Sequence, residues 1–257
     1  MKPTFLQYSK PLLTAMVLEK TPDAAIDTVM NAHYDGAEAF CFQLECLEQE
    51  YHTYDHLARM FETCMGKPIY ITSYRGGSNQ EKTDEERAEL LLTGLKAGAT
   101  LCDVMADLYD PSPYQMSWND EAAKRQAELI DQIHALGGEA LISCHTEAFL
   151  GEEELVRIAL EQKRRGADVV KIVNRTDNRE ELETDFRVIC RLRRELGDTR
   201  LLLLANGPYC RPLRQLGPSF GVCTYLCAPV YKPGYSKEQP ILKAMKSIRD
   251  QLMFLPE

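Results

Sequence analysis

Eight short apolar runs, each separated from the next by a longer polar or amphipathic stretch, set the tightest limit on how this chain can fold. They cover residues 12–18, 39–44, 68–74, 100–106, 139–145, 168–174, 200–206 and 220–227. Runs of this length read as strands, and their continuity reads as a parallel sheet buried on both faces. Between them the 3.6-residue period marks helices over 22–34, 81–96, 119–136, 152–165, 179–196 and 238–252. Thr21 before Pro22 is a helix start, and Thr83 with Glu86 three positions on is a capping box. Several helices end at a glycine, at Gly36, Gly98, Gly137 and Gly166. The repeated Gly-Ala joints at 36–37, 98–99 and 166–167 mark tight turns from helix into strand. Eight such units suit a closed barrel better than an open doubly wound sheet. The 257 residues match the usual size of one (β/α)8 TIM barrel. No linker or low-complexity stretch divides the chain, so residues 1–257 are expected to form a single α/β barrel domain.

Charge and cysteine usage narrow the function. The net charge of -9 comes from acids spread along the chain, which argues against a nucleic-acid surface. The basic clusters at 163–165 and 191–194 lie on helices beside glutamates and read as solvated faces. Five of the nine cysteines (Cys41, Cys102, Cys144, Cys223, Cys227) fall in apolar runs, where Cys acts as a small hydrophobe. An odd count without secretory features points to reduced thiols and a cytoplasmic location. No stretch approaches 18 apolar residues, so no membrane association is expected. The expected partner is a small-molecule substrate.

Chemistry is concentrated at two of the runs. Lys171 sits inside "GADVVKIVN" (residues 166–174), and His145 closes "EALISCH" (residues 139–145). In a barrel these are the sixth and fifth strands, which are neighbours, and active sites lie at the C-terminal strand ends. By the two-residue period, Lys171 points inward with Val169 and Val173. An ammonium in an apolar interior loses hydration, which frees the amine as a nucleophile toward carbonyls, while the imidazole supplies a proton carrier. The plainer alternatives are a lysine neutralised by a carboxylate and a histidine satisfied by backbone groups. Because a buried amine adds little to packing, Lys171→Ala is expected to abolish activity and spare the fold. Other signals are discounted. His52 and His56, four apart, read as two exposed histidines on a short helix and lack a third ligand, so no metal is expected. "RGGSNQ" (residues 75–80) lacks a phosphate-binding spacing and reads as a mobile loop. Cys144 alternates away from His145 into the core. Tyr225, Tyr231 and Tyr235 either shape a lid or pack the last strand.

The ordered set "SCH", "ADVVKI" and "RQLGPSFG" (residues 214–221, after "ANG") resembles the type I 3-dehydroquinate dehydratase family of the shikimate and quinate pathways. The similarity runs from "GAEAFCFQLECL" at Gly36 to "YKPGY" at Tyr231. The resemblance implies a (β/α)8 lyase that needs no cofactor, and it carries an expectation of a homodimer. The family's Schiff-base lysine matches Lys171, its general acid/base histidine matches His145, and its carboxylate-binding arginine matches Arg214 at the start of a loop. The grip on the substrate departs from the family. Its E-x-R-x-D pattern is replaced by Cys41, Gln43 and Glu45. A gapless match sets Tyr74 on the family's next arginine and Ser78 on its glutamate, and Arg75 enters only if the loop shifts by one. Its S-A-P-G-Q lid becomes Tyr231-Lys232-Pro233-Gly234-Tyr235. The expected substrate-binding set is therefore Arg214, Arg75, Tyr74, Gln43, Glu45, Tyr231 and Tyr235.

Three functions fit this reading. The first is a Schiff-base dehydratase acting on 3-dehydroquinate or a related cyclic hydroxy-ketone carboxylate. The second is a class I aldolase-type lyase that uses Lys171 to cleave a C–C bond. The third is a non-catalytic binding protein on an inherited barrel, against which the retention of Lys171, His145 and Arg214 counts.

Overall fold

The computed structural model describes residues 3–233 and 235–252. Its eight strands are β1 (Leu12–Val17), β2 (Ala39–Gln43), β3 (Ile69–Thr72), β4 (Leu101–Met105), β5 (Glu139–His145), β6 (Val169–Arg175), β7 (Arg200–Asn206) and β8 (Thr224–Cys227). The helices that follow them in turn are α1 (Pro22–Tyr34), α2 (Tyr54–Glu62), α3 (Asp84–Ala97), α4 (Asp120–Ala135), α5 (Glu152–Arg164), α6 (Arg179–Glu195), α7 (Cys210–Phe220) and α8 (Leu242–Leu252). All strand pairs are parallel and the order is β7-β6-β5-β4-β3-β2-β1-β8. A bridge between Leu201 and Val222, with the Cys223 N–H donating to Leu201 O at 2.8 Å, nearly closes β8 onto β7. The fold is a (β/α)8 TIM barrel.

Local chemistry fixes the joints. Thr21 accepts the Ala24 N–H and Pro22 occupies the first helical position. Thr83 and Glu86 form the reciprocal capping box, and such caps contribute about 1 kcal/mol each. The glycines of the three Gly-Ala joints have φ of +93, +129 and +99°, which a Cβ disfavours. At the N-terminal face of the barrel, the Glu139 carboxylate accepts the N–H groups of Phe5 and Leu6 at 2.9 Å each. Phe5, buried there, meets Tyr70 edge-on from below at 6.5 Å between centroids. Among the described residues no helix is long and apolar enough to cross a membrane.

The structure corrects four local readings. Residues 210–220 form α7 instead of a loop, so β8 starts at Thr224 and not at Phe220. Pro212 falls in the first turn of α7, where an N–H would lack an intrahelical partner, whereas Pro218 lies inside the helix two residues before its end. The short helix expected around His52 and His56 forms as α2 over residues 54–62, capped by Thr53, but it starts after His52. The last helix begins at Leu242 rather than Glu238, since Pro240 disfavours helical backbone in the residue before it. The segment 75–80 is pinned down. Ser78 Oγ donates to Glu45 O and Leu47 O at 3.2 and 2.5 Å, and Gly77 packs against the Glu45 carbonyl.

Candidate active site

A cavity of about 340 Å³ opens at the C-terminal end of the barrel. Its walls include Gln43, Tyr74, His145, Lys171, Val173, Asn206, Arg214, Tyr235 and Glu238. The two-residue period holds in β6. Val169 faces a separate pocket at the N-terminal end, while Lys171 and Val173 face the cavity. Ser143 lies opposite Lys171 and His145 opposite Val173, so the imidazole stands one inward layer above the amine.

Lys171 is buried and ion-paired. Its Nζ lies 3.0 Å from Asp103 Oδ2, 3.0 Å from the Tyr70 hydroxyl and 2.5 Å from the Tyr74 hydroxyl. Asp103 also accepts from Tyr70, from Tyr74 at 2.6 Å and from Ser143 Oγ. Burial raises the Asp103 carboxyl, but Lys171 and the three hydroxyl donors outweigh it and hold the group below the usual carboxylate range. The lysine expected as an uncompensated amine thus has a carboxylate partner, because β4 aims Asp103 into the same interior layer. Asp103, Tyr70 and Ser143 are absent from the sequence-based set. Asp103 was findable by the rule that found Lys171, since it too is a charge inside an apolar run, "LCDVM".

His145 is partly open to the cavity, and its Nδ1 lies 2.7 Å from Gln115 Oε1. With a carbonyl oxygen facing it, Nδ1 carries the proton and Nε2 remains the basic nitrogen. Burial first, then the positive charge of Lys171, pulls the imidazole down to about 3, so it is neutral at physiological pH. Gln115 sits in a turn in which Tyr114 and Gln115 both have positive φ, at 63 and 53°. No sequence pattern announces that contact. Tyr74 lies between the two catalytic candidates, touching Lys171 through its hydroxyl and His145 ring edge to ring face at 5.3 Å. Among the described residues no hydrogen bond joins His145 to Lys171 directly.

Arg214 reaches the cavity from α7. It donates to Ala205 O at 2.7 Å and Gln239 Oε1 at 3.0 Å, and lies 3.7 Å from Glu238 Oε2. Gln43 and Tyr235 line the cavity, and the Tyr235 hydroxyl is tied to Glu19 at 3.1 Å. Asn206, at the end of β7, presents a buried side-chain oxygen without a partner.

Three expected binding residues are placed elsewhere. Arg75 is held by Asp84 and Asp107 at 2.8 Å each, a pair of carboxylates that a shifted loop would have to abandon. Glu45 turns from the cavity to accept from Thr72 Oγ1 at 2.8 Å and the Tyr74 N–H at 3.3 Å, and burial pushes it up to about 7. Tyr231 is exposed, bonded to Arg211 and to Gln239 O. Gly234 of the same segment lies outside the described residues. Cys144 is fully buried and burial pushes its thiol up to about 12, in keeping with a core role. His52 Nε2 meets the carbonyls of Leu44 and Leu47 at 2.9 and 3.1 Å. Among the described residues no group of three or more His, Cys, Asp or Glu side chains is placed to hold a metal ion.

The model of the type I 3-dehydroquinase family matches residues 14–252. No curated protein matches the chain in sequence. Among solved structures the barrel is similar to the 3-dehydroquinate dehydratase of Geobacillus kaustophilus HTA426, with a TM-score of 0.83 at 15% identity, over 97% of this chain and 93% of that one. The type I enzyme of Clostridium difficile, solved with covalently modified comenic acid, gives 0.79 at 16% identity, over 95% and 93%. The 3-dehydroquinate dehydratase of Enterococcus faecalis gives 0.74 at 14% identity, over 97% and 96%.

Proposed function

This chain belongs to the type I 3-dehydroquinase family, and on that premise we propose that it is a Schiff-base-forming dehydratase for 3-dehydroquinate or a related cyclic hydroxy-ketone carboxylate. One observation carries the reading. A buried lysine and a neutral histidine on adjacent strands face one cavity, with an arginine on another wall. Lys171 would condense with the substrate ketone. The resulting iminium withdraws electrons from the neighbouring C–H, whose proton passes to His145 Nε2. The enamine then expels the β-hydroxyl, which leaves as water with the proton returned by the imidazolium, and hydrolysis frees Lys171. Arg214 offers a planar fork to the substrate carboxylate, and Asn206 an acceptor to a ring hydroxyl. None of these steps requires a cofactor.

The test is borohydride reduction in the presence of 3-dehydroquinate and of related cyclic ketones, followed by peptide mass mapping. The expected result is a reduced adduct on the peptide that carries Lys171. Absence of an adduct with every ketone, or an adduct on a different lysine, would end this reading.

A further inference from the structure

All three N–H bonds of the Lys171 ammonium already have acceptors, the hydroxyls of Tyr70 and Tyr74 and the Asp103 carboxylate. Before its nitrogen can attack a carbonyl it must give up a proton. His145 is not in hydrogen-bonding contact with it, and its Nδ1 is bound to Gln115. Of the three acceptors, Tyr74 alone also lines the cavity. Tyr70 and Asp103 lie behind it, 1% and 2% exposed.

From this arrangement we propose that Tyr74 is a catalytic residue for imine formation, its hydroxyl moving protons between the Lys171–Asp103 pair and the oxygen of the bound ketone. This deepens the Schiff-base reading and rests on it. The ammonium passes one proton to Asp103 Oδ2, and the freed lone pair forms the C–N bond while the carbonyl π pair moves onto oxygen. Tyr74 donates its proton to that oxygen and recovers one from the nitrogen, giving a carbinolamine. The proton held by Asp103 then crosses Tyr74 to the carbinolamine hydroxyl. The C–O bond breaks, water leaves, and the nitrogen lone pair closes the iminium. Two of the ammonium's three protons depart in the water and the third stays on the iminium nitrogen. Asp103 ends as carboxylate and Tyr74 as phenol, so the sequence needs no outside acid or base.

Burial, then the Asp103 charge, pushes the Tyr74 hydroxyl well above its ordinary value, which suits a group that gives and takes a proton in one step. The arginine that the resemblance sets at this position could not serve, since a guanidinium does not release its proton in proteins. The division of labour follows the geometry. Tyr74 serves the nitrogen and the departing oxygen, and His145 serves the carbon.

A cyclic ketone carboxylate without a β-hydroxyl stops the reaction at the imine and isolates this step. Quench-flow with borohydride and mass detection of the Lys171 adduct should show imine formation in Tyr74→Phe slowed by about 10²- to 10⁴-fold. Fluorotyrosine at position 74 keeps the ring and acidifies the hydroxyl. It should shift the alkaline limb of imine formation to lower pH, which a packing role would not do. If the parent forms the adduct and Tyr74→Phe forms it equally fast, or if the fluorotyrosine limb does not move, the relay is overturned while the Schiff-base reading stands. If the parent forms no adduct at Lys171, both fall.

Discussion

At the reacting lysine, the partner decides what a substitution does. Asp103 is buried and ion-paired with Lys171, so Lys171→Ala leaves an uncompensated interior charge. Breaking such a pair costs about 3–5 kcal/mol. The variant should therefore lose both trapping and stability, contrary to the sequence-based expectation of an intact fold. Adding Asp103→Asn should recover most of the loss in urea denaturation, and no recovery would show that the pair is not its source. His145 makes a second prediction. Its neutral form persists until pH falls through about 3, so the acid limb of kcat/KM that it controls lies well below the ordinary imidazole value near 6.5. His145→Ala should slow turnover about 10²- to 10⁴-fold and remove that limb, as a pH-rate series would show. A limb that persists in the variant assigns the proton to another group. At Arg214, lysine should not restore carboxylate binding, because the paired fork is lost. Equal affinity of the parent for carboxylate and carboxamide analogues would rule the anchor out.

Between β2 and β3 the ends of two strands are locked through Glu45, which accepts from Thr72 and from the Tyr74 backbone. The turn at 77–79 closes over the same place. Gly77 has φ +52°, and a Cβ there would meet Glu45 O at 2.1 Å. Gly77→Ala should thus cost on the order of 1–3 kcal/mol, since both strain and a backbone clash arise. Each kcal/mol lowers the melting temperature by about 2–4 °C in a chain of this size. Because the displaced segment leads to Tyr74, imine trapping should slow as well. A variant that melts with the parent would mean that the turn can move away freely. The connection from β8 to α8 behaves similarly. Pro240 keeps residues 238–241 out of the helix, which leaves Glu238 and Gln239 at Arg214.

At the scale of the whole molecule, buried carboxyls such as Glu45 and Asp185 act against stability at neutral pH. Burial pushes Glu45 up to about 7 and Asp185 up to about 6. The folded state therefore holds these protons after the unfolded chain has released them. The contribution is fully present below the unfolded values of 4.5 and 3.8, and is lost as pH rises through the folded ones. For Glu45 this amounts to roughly 3 kcal/mol. Glu45→Gln should flatten the fall in melting temperature between pH 5 and 7, and an unchanged slope would place the titration elsewhere. Substrate range also belongs to this scale. The cavity draws its fixed positive charge from Lys171 and Arg214, while Arg75 is engaged with Asp84 and Asp107 and Ser78 with backbone carbonyls. Lost charged hydrogen bonds discriminate by several powers of ten. Activity on 3-dehydroquinate is expected to fall below the common kcat/KM range of about 10⁴ to 10⁸ M⁻¹s⁻¹. A steady-state value inside that range would return the protein to ordinary 3-dehydroquinate dehydration.

What the sequence determined by itself is the series of eight strands and the places of Lys171 and His145 on two of them. Strand runs, capping residues and Gly-Ala joints act through neighbours a few positions apart, so their signal survives in one dimension. Barrel order then makes β5 and β6 adjacent, and the two-residue period turns Lys171 inward. The tertiary structure alone decided the rest. Asp103 meets Lys171 across 68 positions, Tyr74 across 97, and Gln115 meets His145 across 30. Arg75 could have faced the cavity, but Asp107 on the turn after β4 and Asp84 at the start of α3 offered it two carboxylates. Each of these choices depends on strand register and side-chain direction inside a closed barrel. Only there do residues far apart in the chain compete for the same few buried charges.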